Sequence, residues 1–200
     1  MMPPVGVILA GGLASRMGGG DKGLLQLGNK TLLEHVVERL APQVTNIVLN
    51  ANGDPARFLT KSMPVIADSI GGYVGPLAGV LAGLDWAANI GADSVVTVAA
   101  DTPFFPRNLV SSLRLAAEDM SHPLVLAATP DVKKGKVRHP TFGLWPVSLK
   151  DDLRAALTNG VRKVVIWTDR HSDRTAVFPD ETAFFNVNTP ADLIRAEEML

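Results

Sequence analysis

The sequence predicts an α/β fold of three layers, in which a mostly parallel sheet lies between helices on both of its faces. Short apolar segments alternate with segments of helical periodicity along the 200 residues, and this alternation is typical of repeated strand–helix units. The apolar segments are nearly continuous, as expected for strands that are buried on both faces. Hydrophobic residues make up 46% of the chain, which is enough for one sizeable core, and we expect a single domain over residues 1–200.

Six segments are predicted as strands because each is short, apolar and suited to a buried position in a sheet. In chain order they are residues 5–10, 46–51, 64–67, 94–100, 124–128 and 141–145. The polar, basic segment 130–138 between the last two is predicted as an exposed loop or hairpin tip. Connections between parallel strands are expected to be right-handed.

Helix starts are marked by capping residues and prolines. In a capping box, a Ser or Thr and an acidic residue three positions later satisfy each other's backbone N–H groups. Three such pairs are present, namely Thr31 with Glu34, Ser148 with Asp151, and Thr189 with Asp192. Pro76 suits the first turn of another helix, and a further helix is predicted after Pro106, with Leu109, Val110 and Leu113 facing the core.

The composition excludes several classes of function. Lys and Arg (19) nearly balance Asp and Glu (20), so no broad cationic surface is available for a nucleic acid. The chain contains no cysteine, which excludes disulfides, thiolate metal sites and a cysteine nucleophile. No segment has the length and apolar character of a signal peptide or a membrane span. We therefore expect a cytoplasmic protein with neither a nucleic acid nor a membrane as its partner.

The segment that follows the first strand carries the strongest functional signal. It is rich in glycine from Gly11 to Gly23, and glycines allow a backbone to turn several N–H groups toward one point. Lys22 can reach phosphate oxygens, and Arg16 can clamp a second phosphate in bidentate fashion. The segment therefore predicts a polyphosphate-binding loop, with solvated loop charges as the alternative interpretation of Arg16 and Lys22.

Polar residues also follow three later strands at the point where each ends. Asn50 and Asn52 close the second strand, Asp68 closes the third and Asp101 closes the fourth. Ligands of open α/β sheets bind beyond the carboxyl ends of the strands, so these side chains are predicted to line one cleft. Asp101 is the predicted ligand of Mg²⁺, an ion that takes one or two carboxylates and completes its shell with phosphate and water. The alternative for each residue is an ordinary turn or cap.

Two familiar phosphate-binding patterns are excluded. The P-loop pattern requires Lys followed by Ser or Thr, whereas Lys22 is followed by Gly23. Residues 18–23 match the glycine spacing of the dinucleotide-binding fingerprint, but they lie well after the first strand. In addition, no acidic residue closes a second strand about 20 residues further on, as that fingerprint requires.

Two other segments carry polar groups with two interpretations each. Arg138 and His139 lie near the mouth of a strand, and they either meet an anionic substrate or form an exposed turn. Asn186 and Asn188 precede the last helix, and they either offer amide groups to a ligand or bond locally as turn and cap residues.

These motifs resemble a known family. Residues 9–12, 15–18 and 21–23 read Leu-Ala-Gly-Gly, Ser-Arg-Met-Gly and Asp-Lys-Gly, and they resemble the start of nucleotidyltransferases with a Rossmann-like, glycosyltransferase-A-like fold. Segments 50–52, 66–69, 75–79, 101–103, 139–141 and 186–190 follow in order across almost the whole chain. The full set is similar to the molybdenum cofactor guanylyltransferases.

The resemblance implies an activity and a set of partners. GMP would pass from GTP to the terminal phosphate of molybdenum cofactor (Mo-molybdopterin), forming molybdopterin guanine dinucleotide and pyrophosphate, with Mg²⁺ as the cofactor. Other cofactor-biosynthesis proteins and acceptor molybdoenzymes would be further partners. Two alternatives remain open, namely a related nucleotidyltransferase using CTP or a sugar-phosphate acceptor, and a GTP-binding accessory protein that delivers the pterin without chemistry. The turn at residues 76–79 resembles the guanine-selecting version.

The resemblance also implies roles for individual residues. The positions that would bind GTP are Leu9, Ala10, Gly11, Lys22, Asn50, Asp68 and Asp101. Asp101 would hold Mg²⁺ as well, and Arg16, Asn186 and Asn188 are implied on the pterin side. Arg16, Lys22 and Asp101 form the implied catalytic set. One departure is Ala100, where the family often has Cys before the aspartate.

Overall fold

The computed structural model describes residues 3–11, 21–58, 63–72 and 75–200. The strands in these ranges are β1 (Val5–Leu9), β2 (Gln26–Leu27), β3 (Lys30–Thr31), β4 (Ile47–Asn50), β5 (Val65–Ile66), β6 (Ser94–Ala99), β7 (Val125–Asp131), β8 (Gly135–Pro146) and β9 (Arg174–Val177). The α-helices are α1 (Leu32–Leu40), α2 (Pro76–Asn89), α3 (Leu109–Ala116), α4 (Lys150–Thr158), α5 (Val164–Thr168) and α6 (Pro190–Glu197).

Seven of these strands form one sheet in the order β5-β4-β1-β6-β8-β7-β9. Strands β5, β4, β1 and β6 are parallel neighbours, and β7 pairs with β9 in parallel. Only β8 runs in the opposite direction within this sheet of the described residues, since it pairs antiparallel with both β6 and β7. The predicted mostly parallel sheet is confirmed.

Helices cover both faces of the sheet, as predicted. On one face, α1 and α3 contribute to a core cluster that includes Leu33, Val36 and Leu113. On the other face, α2, α4 and α5 contribute to a second cluster with Leu81 and Trp167. Strands β1, β4, β6 and β7 send alternate side chains to the two clusters, which explains why their segments are nearly continuous runs of apolar residues.

Two of the three predicted capping boxes are confirmed, and the third is wrong. Thr31 and Thr189 each cap their helix reciprocally with the acidic residue three positions later. Ser148 instead lies in a single 3-10 turn, and its hydroxyl oxygen is 3.1 Å from Nδ1 of His122. The chain enters α4 through that turn, whose carbonyl at Val147 accepts the N–H of Lys150. A main-chain carbonyl therefore replaces the predicted side-chain cap.

Several elements lie outside the sequence prediction. The hairpin β2–β3, the short helix α5 and the strand β9 are each too short to show a periodic pattern in the sequence. Segment 130–138 forms a hairpin tip as predicted, but most of it is paired between β7 and β8. Among the helices of the described residues, none combines the length and apolar character needed to span a lipid bilayer.

Candidate active site

The centre of the site is the carboxyl end of β1, which lies between β4 and β6. The N–H of Ala10 donates to the carbonyl of Asn50 at 2.9 Å, and the N–H of Ala100 donates to the carbonyl of Leu9 at 3.0 Å. The chain therefore leaves the sheet at Gly11 between two fixed neighbours. Among the residues that the structure describes, none would meet a β-carbon at Gly11 within 4 Å, and this backbone lies at the edge of the sheet where ligands bind. Arg16 lies outside the described residues.

Asn50, Asn52 and Asp68, which we call the amide group, lie together beyond β4 and β5. The Asn50 amide donates to Oδ1 of Asp68 at 3.0 Å, and the Asn52 amide donates to Oδ2 at 2.8 Å. The backbone N–H of Asp68 returns a bond to Oδ1 of Asn52 at 2.9 Å. Both oxygens of the carboxylate thus accept from neutral amides. The predicted convergence of these strand-end residues is found in the structure.

Helix α2 begins directly behind the amide group. Its N-cap is Gly75, with φ of 78°, and Pro76 occupies the first helical position, so the predicted proline start is confirmed. At Gly79 a β-carbon would collide with the Asn50 amide oxygen and come within 2.8 Å of Leu9. The helix therefore packs against the ends of β1 and β4 only because residue 79 has no side chain.

Lys22, Asp101, Thr102, Asn186 and Asn188, which we call the lysine group, lie beyond β6. The Lys22 ammonium donates to Oδ1 of Asn188 at 2.5 Å and lies 3.5 Å from Oδ2 of Asp101. The Thr102 hydroxyl donates to Oδ1 of Asn186 at 2.5 Å. Residues separated by up to 166 positions in the chain therefore meet at one place.

The lysine group decides several of the open interpretations. The Lys22 side chain is 19% exposed and bonded, so the interpretation as a solvated loop charge is wrong. The side-chain oxygens of Asn186 and Asn188 accept from distant partners rather than from their own turn. Thr102 is the fully buried member of the group; it lies in segment 101–103 of the family motifs, but no role of its own was predicted for it from the sequence.

A backbone bond and a helix start hold the asparagine segment in place. The N–H of Val187 donates to the carbonyl of Asp101 at 2.8 Å, which ties the segment to the end of β6. The Asp192 carboxylate accepts from the N–H groups of Asn188 and Thr189. Hydrogen bonds, first of all that from the Thr189 hydroxyl, lower the pKa of Asp192. The capping box of α6 therefore also orients Asn188.

The alanine at position 100 packs beneath the turn that carries Lys22. A β-carbon on Gly23 would be 3.4 Å from the β-carbon of Ala100, and Gly23 is buried. Position 100 therefore faces the inner side of the turn that carries Lys22. The departure from the cysteine often found there changes packing volume beneath the site.

The carboxylate of Asp101 suits the coordination preferences of Mg²⁺. Within the described residues there is no cluster of three or more His, Cys, Asp or Glu side chains suited to a metal. Asp101 instead offers a single carboxylate, 22% exposed, at the end of a rigid strand. Magnesium is commonly held by one or two carboxylates, with phosphates and water as its other ligands, so this arrangement suits an ion that arrives with a nucleotide.

Arg138 is engaged by two carboxylates rather than by an open cleft. Its Nη1 donates to Asp169 at 2.6 Å and to Asp173 at 3.3 Å. The bond to Asp169 raises the pKa of Arg138, while burial raises the pKa of Asp173 against the effect of the arginine. Arg138 lies in β8, so the alternative of an exposed turn is wrong.

His139 is a packed residue of the same strand. Its ring stacks on Phe184 with centroids 4.2 Å apart, and Nε2 lies 3.0 Å from the hydroxyl of Thr129. Burial lowers the pKa of His139, which favours the neutral imidazole at physiological pH. A neutral stacked ring contributes to the core near the site rather than to the binding of anions.

The architecture places the chain in a known class of folds. The sheet and its helices have the fold of nucleotidyltransferases with a glycosyltransferase-A-like core. The structure of 4-diphosphocytidyl-2C-methyl-D-erythritolsynthase from Anaerococcus prevotii superposes with a TM-score of 0.75 at 15% identity, covering 99% of this chain and 96% of that one. At that identity the likeness concerns the fold alone.

Closer relatives define the family. A family model described as the MobA-like NTP transferase domain matches residues 6–174. The molybdenum cofactor guanylyltransferase of Bradyrhizobium sp. (strain ORS 278) is 49% identical over 199 residues, covering 97% of this chain and 92% of the relative. The crystal structure of molybdopterin-guanine dinucleotide biosynthesis protein A from Archaeoglobus fulgidus is 26% identical with a TM-score of 0.74, covering 98% and 97% of the two chains. The chain belongs to the MobA-like NTP transferase family and, within it, to the molybdenum cofactor guanylyltransferases.

Proposed function

We propose that this chain transfers GMP from GTP to the terminal phosphate of molybdenum cofactor at the carboxyl edge of β1, β4, β5 and β6. The products are molybdopterin guanine dinucleotide and pyrophosphate. The observation that carries the assignment to this edge is the position of the Lys22 ammonium, which lies between Asp101 and Asn188. A cation held beside a strand-end carboxylate is suited to a triphosphate that brings a divalent ion.

The two polar groups divide the binding of GTP. In the amide group, the oxygens of Asp68 accept from neutral amides, and a carboxylate oxygen accepts more than one hydrogen bond, so Asp68 suits hydrogen-bond donors of the nucleoside rather than phosphate oxygens. Asn50 is 3% exposed and fixes the orientation of that carboxylate. The backbone of Leu9, Ala10 and Gly11 passes between the two groups and leads into the predicted polyphosphate-binding loop.

The lysine group provides the positive field for the phosphates. Lys22 donates to phosphate oxygens, and Arg16 clamps a second phosphate from the glycine-rich loop. Asp101 is the residue that would hold Mg²⁺, and the ion would offset the negative charge that the phosphates bring together. Asn186 and Asn188 present amide groups on the pterin side of Lys22.

The reaction requires positioning more than proton transfer. An oxygen of the pterin phosphate forms a bond to the α-phosphorus of GTP, and the bond from that phosphorus to the oxygen bridging to the β-phosphorus breaks. The attacking oxygen is already anionic, so no general base is needed. The residues of the site align two polyanions and offset their repulsion, which are the main sources of catalysis in phosphoryl transfer.

Pyrophosphate release tests the proposal directly. The purified chain is incubated with GTP, Mg²⁺ and molybdenum cofactor, with parallel reactions that lack the acceptor or contain CTP. We expect pyrophosphate only with GTP and the acceptor together, because a pocket that hydrogen-bonds guanine leaves buried polar groups unpaired with another base. Tight binding of GTP without pyrophosphate would instead indicate an accessory protein, and equal use of CTP would contradict the guanine assignment.

The cellular setting follows from the same proposal. We assign the reaction to the cytoplasm. We also assign the activity to a single domain over residues 1–200, because the main sheet contains strands from Val5 to Val177. Other cofactor-biosynthesis proteins and acceptor molybdoenzymes are the proposed protein partners, since the product must pass to an apoenzyme. Co-purification of the chain with an apo-molybdoenzyme, compared with the loaded enzyme, tests this transfer.

A further inference from the structure

An arginine outside both polar groups connects the loop that carries Lys22 to the turn that carries Asn52. The Nε of Arg57 lies 3.3 Å from Oδ2 of Asp21, the residue directly before Lys22. The Nη2 of the same guanidinium donates to the carbonyl oxygen of Asn52 at 2.6 Å. One side chain therefore contacts a member of the amide group and the residue next to Lys22 in the lysine group.

The local structure fixes this arginine. Arg57 lies in the 3-10 turn Pro55–Phe58, whose start is capped because Oδ1 of Asp54 accepts the N–H of Ala56 at 2.9 Å. The guanidinium carbon lies 5.3 Å from the centre of the Phe58 ring, and Phe58 is buried. The flat guanidinium is thus held against an aromatic side chain, and two of its nitrogens face fixed acceptors.

The contact differs from an ordinary surface ion pair. Exposed pairs contribute little because both side chains stay mobile in water; here the Arg57 side chain is 38% exposed, but the Asp21 side chain is only 11% exposed. Asp21 also brings a negative charge next to the lysine that we assign to phosphate binding. Without Arg57, that charge would repel an incoming triphosphate at short range.

We propose that Arg57 is a positioning residue for nucleotide binding, and this rests on the proposed function. Arg57 holds Asp21 against the turn after β4, which keeps Lys22 turned toward Asp101. It also cancels the charge of Asp21 beside the phosphates of a nucleoside triphosphate. Arg57 touches neither substrate in this role, since it acts through Asp21.

Four variants test the role of Arg57: Arg57→Gln, Arg57→Lys, Asp21→Asn and the Arg57→Gln/Asp21→Asn double variant. Arg57→Gln is expected to raise KM for GTP about tenfold, the scale of one lost charge-assisted hydrogen bond, with KM for molybdenum cofactor unchanged. Arg57→Lys is expected to recover only part of this loss, because an ammonium lacks the forked geometry. The double variant is expected to bind GTP better than Arg57→Gln, since the uncancelled carboxylate is gone.

Arg174→Gln is the matched control. Arg174 also uses one guanidinium to satisfy main-chain carbonyls, those of Ala116 and Glu118, but it begins β9 at the opposite edge of the sheet. We expect Arg174→Gln to lower the melting temperature without changing KM for GTP. If Arg57→Gln only reduced stability, it would likewise lower the melting temperature and leave KM for GTP unchanged. The proposed role instead predicts a raised KM for GTP, and the added Asp21→Asn substitution is expected to relieve that increase.

Failure of this inference is separable from failure of the proposed function. A wild-type KM for GTP in Arg57→Gln, or a double variant that binds no better than the single one, would overturn the role of Arg57 while pyrophosphate release continued. If Arg57→Gln does not fold, Arg57→Lys decides, because that variant is also expected to keep part of the rise in KM for GTP, and a wild-type KM for GTP in it overturns the inference. If the wild-type chain releases no pyrophosphate, the same comparisons are made on the Kd of Mg·GTP by calorimetry.

Discussion

The amide group and the lysine group lie at the same edge of the sheet but are built on different physical principles. In the amide group, a deeply buried asparagine fixes a carboxylate whose oxygens both accept from neutral donors. In the lysine group, a partly exposed ammonium lies 3.5 Å from a partly exposed carboxylate, a distance beyond that of a short charged hydrogen bond. The first group presents a fixed hydrogen-bonding pattern, whereas the second holds charges that can exchange partners when phosphates bind.

The largest expected loss of activity in either group comes from substitution of Asp101. We expect Asp101→Asn to lose at least ~10²-fold in kcat/KM, the scale of removing one preorganised electrostatic group, because the variant keeps the shape of the side chain but loses the charge for Mg²⁺. Pyrophosphate release over a series of Mg²⁺ concentrations measures this effect. Near-wild-type turnover in a folded variant would remove Asp101 from the metal site. Asp93→Asn is the control, because Asp93 lies just before the start of β6, at the other end of that strand from Asp101.

Lys22 is expected to give the next largest effect. Lys22→Met keeps much of the side-chain length but removes the charge, so KM for GTP should rise about tenfold or more, as for the loss of a bond to a charged group. Turnover should fall as well, because the same charge offsets repulsion between the two substrates. Calorimetric titration with Mg·GTP and steady-state kinetics check both. Unchanged values for both would place Lys22 outside the site.

The amide group is tested through the glycines of α2. Gly79→Ala brings a β-carbon into the Asn50 side chain, and Gly83→Ala brings one within 2.6 Å of Val7, one turn further along. Both are expected to destabilise the fold by about 1–3 kcal/mol, the usual cost of overpacking. Only Gly79→Ala should also raise KM for GTP several-fold. Equal effects of the two variants on KM would show that the position of Asn50 does not matter for binding.

The two groups also differ in how far the sequence predicts them. Asn50, Asn52 and Asp68 follow adjacent parallel strands, so the rule for strand ends brings them together without knowledge of the structure. Asn186 meets Thr102 across 84 positions, and that contact depends on the order of β8, β7 and β9 in the sheet, which the chain alone does not reveal. Local patterns could therefore not choose between a ligand role and a turn role for this segment.

The same limit applies to the helices and to the residues that were missed. Thr31 and Thr189 were predictable as caps because their partners lie three positions away. The cap predicted at Ser148 is wrong because the carbonyl of Val147, in the preceding turn, accepts the N–H of Lys150 instead. Thr102 and Arg57 act through partners that are distant or belong to another loop. No spacing rule identifies such contacts, since they exist only after the strands have been ordered.

Asp192 gives the smallest expected effect and tests whether the lysine group depends on helix α6. Its lowered pKa means that its contribution to stability is complete above about pH 4 and is lost as the pH falls through the folded-state pKa. We expect Asp192→Ala to lower the melting temperature by a few degrees at most at pH 7 and by less in strong acid. KM for molybdenum cofactor should rise slightly while KM for GTP stays unchanged, because the carboxylate holds the backbone of Asn188. A difference in melting temperature that does not vary with pH would contradict this account, because the carboxylate would then not be the group that stabilises the start of α6.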